Sequence, residues 1–220
     1  MKIDILTLFP QMFEGFISES IIKRAREKQL VEINIHDLRE YSPFKNKQVD
    51  DYPYGGGAGM VLMCEPVYNA IESLREENSL VIMMTPSGQR YNQKIATKLT
   101  DKKHLILLCG HYEGFDERIR NFVDLEISIG DYILTGGEIP AMAITDSIVR
   151  LIPGTINKES LEYESFNDDF LDYPEYTRPR IFKGMEVPEV LLSGHHENIK
   201  KYREEQRRIK TEQLQSDIRK

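Results

Sequence analysis

"LILLCGHYEGFDER", residues 105–118, runs from five apolar residues into glycine, histidine and tyrosine, then into three acidic side chains within six positions. The apolar run is the length of a strand buried on both faces, and the glycines that follow are where such a strand must turn. The same punctuation occurs on either side. "NSLVIMMTP" (78–86) reads as a second continuous apolar strand, and "QKIATKL" (93–99) as a short helix between the two. "FDERIRNFV" (115–123) reads as a helix, "DLEISIGDYIL" (124–134) as a strand with a turn, and "EIPAMAITDSIVRLI" (138–152) as a long helix closed by Pro153–Gly154. Towards the N-terminus, "KIDILTLF" (2–9) reads as a core strand ended by Pro10. Residues 13–28 follow as one amphipathic helix with Phe13, Ile17, Ile21 and Ala25 on a single face, and "LVEINIHDL" (30–38) alternates as a strand. Strands alternating with helices at these intervals predict an α/β fold on a mostly parallel sheet, its two apolar strands central.

After Gly154 the composition changes. Residues 155–180 hold seven acidic side chains against three basic ones, with no firm periodicity, and read as a linker or loop. "EVLLSG" (189–194) and the segment from His195 onward are helical in propensity. From Glu197 on there are eight Lys/Arg against five Asp/Glu, in a chain whose formal net charge is −7. That segment reads either as a solvated helix or as a contact for an RNA backbone. The division expected is therefore 1–154, a linker at 155–180, and a small helical domain at 181–220.

Composition narrows the chemistry. With 30% charged and 40% hydrophobic residues in 220, the chain is an ordinary globular sequence, and no apolar run approaches a membrane span, so a cytoplasmic protein is expected. Cys64 and Cys109 have no C-x-x-C spacing, and Cys109 within its apolar run is a buried thiol. The five histidines show no metal-ligand spacing, and no metal-binding residues are assigned. Neither G-x-G-x-x-G nor G-x-x-x-x-G-K-[ST] occurs after a strand; "YGGGAGM" (54–60) lacks the lysine and follows a polar stretch. What remains is "MMTPSGQ" (83–89), "CGHYEG" (109–114) and "SIGDYILTGGE" (128–138), three glycine-bearing loops at the carboxyl ends of successive strands. Ligands of parallel sheets collect there, and glycine lets backbone N–H and C=O groups approach without an intervening Cβ. The pattern points to a cofactor held through its adenine and an amino-acid tail by backbone groups. Arg150, near the end of the long helix, with Glu162 or Glu164 in the acidic stretch, forms a combination able to stabilise a developing oxyanion while a carboxylate takes a proton.

Across nearly the whole chain the sequence resembles the bacterial tRNA (guanine-N1)-methyltransferase (TrmD) family, of the trefoil-knotted SPOUT class. The resemblance rests on "LFPQMFEG" (8–15), "VDDYPYGGGAGM" (49–60), "LLCGHYEGFDERI" (107–119), "SIGDYILTGGEIPAM" (128–142), "FLDYPEYTRP" (170–179) and "GMEVPEVLLSGHH" (184–196). It implies a deep knot in the C-terminal part of the α/β domain, which connection rules alone would not propose. It implies S-adenosylmethionine bound in the knot by Thr85 and Pro86, by Gly110, Tyr112 and Glu113, and by Gly130, Tyr132, Ile133, Leu134, Gly136 and Gly137. The substrate implied is the tRNA anticodon arm, methylated at N1 of the guanosine of G36–G37. Arg150 matches the family arginine at O6, Glu113 is carried in the catalytic set as well, and Glu164 stands at the position of the family's aspartate base, "YESF" replacing "EDSF". A homodimer with a shared active site and a requirement for Mg²⁺, its site unassigned, complete the expectation. The alternatives are a related SPOUT enzyme acting on another RNA nucleotide and a non-catalytic RNA-binding knot protein.

Overall fold

The computed structural model describes residues 1–157, 164–166, 168 and 170–218, with side chains described as far as Leu214. They fall into two compact units, Met1–Ile156 and Asn157–Lys220.

The first unit is built on a five-stranded, wholly parallel sheet of order β2-β1-β6-β5-β7. The strands are β1 (Lys2–Thr7), β2 (Glu32–Asp37), β5 (Ser79–Arg90), β6 (His104–Leu108) and β7 (Leu125–Ser128). The short pair β3 (Asp50–Asp51) and β4 (Val61–Leu62) forms a separate ribbon. Both continuous apolar strands are interior, and every residue of β6 is buried. Side chains alternate across the pleat. Ile3, Ile5, Leu105, Leu107, Ile82 and Met84 meet α2 (Ser20–Glu27), α4 (Gln93–Thr100) and α5 (Glu138–Val149) on one face. Leu6, Ile106, Leu108, Val81 and Met83 meet α3 (Cys64–Leu74) on the other. The result is a three-layer α/β unit.

Three local readings change. The helix expected over 13–28 is two, α1 (Glu14–Ser18) and α2, because Glu19 is extended and Ser20 takes φ 54°. That break resets the helical phase, so Ile22 rather than Ile21 is buried beside Ala25. Residues 117–122 form a 3₁₀ helix, since both ends are already fixed. Asp116 N–H bonds Leu62 O at 2.9 Å, and Asp124 exchanges bonds with Val81 of β5, so contacts at both ends set the path of the residues between. The polar stretch before "YGGGAGM" does contain a strand, β3, anchored by buried Val49, so the glycine loop is the turn of a ribbon.

The knotted character lies in two backbone crossings. The distal part of β5 arches over β7: Ile127 is paired with Met84 and again with Gln89, and Ser128 with Arg90. Gly88 lies so close that a Cβ there would stand 2.5 Å from Ile127 N. Further on, the chain returns across the end of β6, where Gly137 N–H donates to Gly110 O at 2.8 Å, before entering α5. The second unit contains the hairpin of β8 (Ile181–Phe182) and β9 (Met185–Glu186), turned through Lys183 and Gly184 at positive φ, then α6 (Glu189–Leu192) and the long α7 (His196–Ile218).

The sheet is tied at its amino end by Asp4 of β1, whose carboxylate is fully buried. It accepts from His104 Nε2 at 2.7 Å, His36 Nε2 at 3.0 Å and Asn34 Nδ2 at 2.9 Å, with Lys2 Nζ at 3.2 Å. Ser79 Oγ at His104 Nδ1 and the Tyr41 hydroxyl at His36 Nδ1 leave each imidazole turned so that Nε2 donates to the carboxylate. Burial alone raises the pKa of Asp4, but the hydrogen bonds from His36, Asn34, His104 and Lys2 outweigh it and hold the group well below the usual carboxylate range. A folded-state pKa depressed in this way contributes stability above the unfolded value, about 3.9, and that contribution is lost as pH falls through the folded value. The urea midpoint should therefore fall between pH 5 and pH 2 more steeply in the wild type than in Asp4→Asn, whose midpoint should be lower at pH 7. Equal pH slopes in the two proteins would remove Asp4 as the acid-sensitive tie.

Candidate functional site

At the carboxyl end of the sheet, the segments leaving β5, β6 and β7 close around one cavity of about 450 Å³. It lies within the size range of small-molecule sites. All eleven positions singled out in the sequence line it. Thr85 and Pro86 come from the middle of β5, where its register with β7 shifts, Gly110, Tyr112 and Glu113 from the turn after β6, and Gly130, Tyr132, Ile133, Leu134, Gly136 and Gly137 from the passage between β7 and α5. The three strands are neighbours in the sheet, which is why loops far apart in sequence converge.

The walls are shaped by places where no Cβ fits. At Gly137 a Cβ would lie 2.7 Å from both Cys109 Cα and Gly110 N, backbone that cannot swing aside. At Gly110 it would stand 2.7 Å from the Phe115 ring, and at Gly130 2.4 Å from the Tyr132 ring. The turn itself is strained. Tyr112 sits at φ 59° and Gly114 at φ 112°, held by Glu113 N–H to Met60 O at 3.0 Å and Leu62 N–H to Gly114 O at 2.9 Å.

Polar support comes from residues that the sequence reading passed over. Glu138, in the first turn of α5, is buried, and Thr7 Oγ1 donates to its Oε1 at 2.8 Å. The carboxylate sits where the helix dipole favours negative charge. Its only sequence signal was an acid directly after Gly136–Gly137. Beside it, burial first and the Glu138 charge second push the Cys109 thiol well above its ordinary pKa, so Cys109 stays a packed thiol. The His111 ring lies tilted against Phe9, centroids 4.8 Å apart, and edge-on to Tyr112 at 5.1 Å. Its Nδ1 is buried without a hydrogen-bond partner among the described residues, beside Gly136, a group that a polar ligand would complete. The wall thus offers peptide groups, small polar side chains and aromatic edges, with Glu113, Asp116, Glu117 and Arg120 as its charged members. Arg120 is paired with Glu117 and Glu126. Among the described residues no group of three or more His, Cys, Asp or Glu could hold a metal.

The three residues of the expected catalytic set fall in three places. Glu113 is exposed at the cavity rim. Arg150 caps the far end of α5, a helix of 12 residues whose first turn borders the cavity, so roughly 18 Å of helix separates it from Gly137. Glu164 belongs to the second unit and is half-buried. No described helix is long and apolar enough to cross a membrane.

The profile described as tRNA (Guanine-1)-methyltransferase TrmD matches residues 1–220. A tRNA (guanine-N(1)-)-methyltransferase of Staphylococcus epidermidis is 55% identical over 221 residues, covering 99% of this chain and 90% of the relative. Proteins of the same name from Dictyoglomus turgidum and Mycoplasma capricolum are 54% and 53% identical, covering 96% and 99% of the chain and 86% and 91% of the relatives.

The tight crossing at Gly137 yields a paired test. Gly137→Ala should lower stability by about 1–3 kcal/mol through overpacking. Gly15→Ala, in α1 with nothing within 4 Å of the added methyl, should be neutral or stabilise by about 0.5–1 kcal/mol. Denaturant titration of both variants reads the difference; a Gly137→Ala protein as stable as Gly15→Ala would mean that the crossing has slack.

Proposed function

The chain belongs to the tRNA (guanine-1)-methyltransferase TrmD family, and on that footing we propose that it transfers a methyl group from S-adenosylmethionine to N1 of guanosine 37 in tRNA. The observation that carries the reading is the cavity: three glycine loops from β5, β6 and β7 closing on one backbone-lined seat. S-adenosylmethionine, when bound there, supplies a methyl group already activated on its sulfonium. The seat fits such a molecule in volume, in its supply of peptide donors and acceptors, and in the unpaired Nδ1 of His111.

The protein's own tasks are positioning and proton transfer. N1 of guanine carries a proton, and its lone pair becomes available as that proton leaves. Glu164 is the proposed acceptor, its carboxylate one methylene longer than the aspartate of the family pattern. Arg150 is the proposed partner for O6, where negative charge gathers as N1 is deprotonated; a planar guanidinium stabilises it without changing its own protonation. Glu113, at the rim beside Met60, is proposed to orient the base at the cavity mouth. Within one chain Arg150 stands a helix length from the cavity, which supports a homodimer in which a second copy brings Arg150 and the acidic segment to the seat. Exposed Ile133, Ile139 and Met12 supply apolar surface for such a pairing. The division into a knotted domain (1–154), a linker (155–180) and a tRNA-gripping helical domain (181–220) is part of the same proposal. So is a requirement for Mg²⁺, with no site among the described residues and no step assigned to it. A cytoplasmic location, where tRNA is processed, completes it.

The test is single-turnover methylation with labelled cofactor, using a transcript carrying G36–G37 and a matched one with G37 replaced. Nucleoside analysis should find 1-methylguanosine from the first transcript only; a different methylated nucleoside would redirect the reading to another RNA target. Arg150→Ala should slow the step by about 10²–10³-fold, and Glu164→Gln by about 10²–10⁴-fold, both with near-normal cofactor affinity. Mixing Arg150→Ala with Gly110→Ala, each inactive alone, should restore about a quarter of the sites if two copies share them. No recovery on mixing would return Arg150 to the seat of its own chain.

A further inference from the structure

Helix α7 carries six lysines and arginines, and an RNA-binding helix would present its arginines to solvent. Arg207 does the opposite. Its residue is 8% exposed, and its donors are committed inside the second unit. Nη1 and Nη2 grip the two carboxylate oxygens of Asp168, the first at 3.0 Å, and Nε donates to Leu171 O at 3.0 Å. The guanidinium lies 5.7 Å from the centre of the Phe170 ring. One turn on, Thr211 Oγ1 is buried, accepts from Leu171 N–H at 2.9 Å and donates to Arg207 O at 2.7 Å. Lys210 pairs with Asp172, and Arg203 covers the Tyr173 ring at 4.5 Å. Positions 203, 207, 210 and 211 share one helix face, and each of them contacts Asp168 or a residue of 170–173.

The captured segment is also closed on itself. Asp172 N–H donates to Ser165 Oγ at 2.9 Å, and Phe166 N–H, from a residue at φ 70°, donates to Phe170 O at 2.9 Å. Glu164 is the residue at the mouth of this closed loop.

We propose that Arg207 is a positioning residue for methyl transfer: by pinning Asp168 and Leu171 to α7 it fixes the closed loop from which Glu164 presents its carboxylate. This rests on the reading of Glu164 as the proton acceptor. A forked guanidinium suits the task, because a bidentate carboxylate pair together with an Nε contact fixes orientation as well as distance. Lysine keeps the charge but cannot make all three bonds. Proton transfer is sensitive to such placement, since an error near 1 Å can cost about 10²-fold. Arg207 therefore acts on the reaction through Glu164, whereas the exposed Arg208 beside it remains available to solvent and phosphate.

The experiment uses the full chain with a G36–G37 transcript and reads two quantities. Hydrogen exchange over residues 165–172 reports the clamp. Single-turnover rate at saturating cofactor and tRNA, set against tRNA affinity, reports its use. Arg207→Met and Asp168→Asn should each speed exchange in the loop and slow methyl transfer by 10- to 100-fold, with tRNA affinity changed less than about threefold. Arg207→Lys should recover only part of the rate, and Arg207→Asp combined with Asp168→Arg should regain more than either single change. Asp168→Asn lies off the helix and keeps the test open should α7 itself tolerate substitution poorly, which circular dichroism would reveal. Faster exchange with an unchanged rate would overturn the proposal. So would a loss confined to tRNA affinity and fully rescued by lysine, since that is the signature of a phosphate contact. Glu164→Gln at wild-type rate would remove the proton-acceptor reading instead, and exchange over 165–172 would still report the clamp by itself.

Discussion

The first unit depends on one contact between two stretches of backbone, Gly137 against Cys109–Gly110. Its hydrogen bond is ordinary, 2.8 Å from Gly137 N to Gly110 O. The unusual part is the missing volume, because a methyl group on Gly137 would lie 2.7 Å from main-chain atoms on the other side. The returning chain must touch the end of β6 at this point or α5 could not begin where it does. With α5 displaced, Ala141, Ile144 and Ile148 would lose their place in the core on that face of the sheet. Gly88 against Ile127 plays the same part where β5 arches over β7. Two positions without side chains thus permit a path that parallel sheets ordinarily avoid.

The binding seat is a by-product of those crossings. Where three backbone segments are forced together, peptide groups that cannot all pair with one another face a common space. Side chains around it mostly hold that backbone in place. Thr7 and Glu138 tie the start of α5 to β1, Phe115 backs Gly110, and His111 is wedged between Phe9 and Tyr112. Recognition by amides and carbonyls suits an adenosine with an amino-acid tail better than a pyrophosphate, which calls for cations or a helix terminus.

Much of this was legible in the residues. Five strands and the central position of the two apolar ones follow from apolar runs and alternation, and the three convergent loops from the glycines that follow the apolar runs of β5, β6 and β7. The helix α3 went unread, although Val67, Ala70 and Ile71 stand at helical spacing. What was not legible depends on contacts distant in sequence. Nothing in "FISESIIKR" announces the positive φ of Ser20 that splits the first helix. "FDERIRNFV" has helical periodicity, yet its ends are pinned to β4 and β5, and tertiary restraint outranks propensity. Asp4 and Glu138 read as unremarkable acids until their partners, about a hundred or more residues away, are brought beside them. The knot itself entered through family resemblance, because threading leaves no periodic signal.

Charge in α7 shows most clearly why a residue count misleads. The excess of basic residues after Glu197 suggests one continuous surface for RNA, but the helix has two faces with different duties. Arg207 and Lys210 are paired with Asp168 and Asp172, and Arg203 lies over the Tyr173 ring. The hydrogen bond from Arg207 keeps the Asp168 carboxyl below its usual range, as Lys210 does for Asp172. Exposed Lys200, Lys201 and Arg208 carry the charge that remains. An acidic segment followed by a basic helix is therefore better read as two complementary halves of one local structure. Salt screens the exposed pairs strongly and the partly buried Arg207 pair much less, so the loop's attachment should outlast the helix's attraction for a polyanion as ionic strength rises.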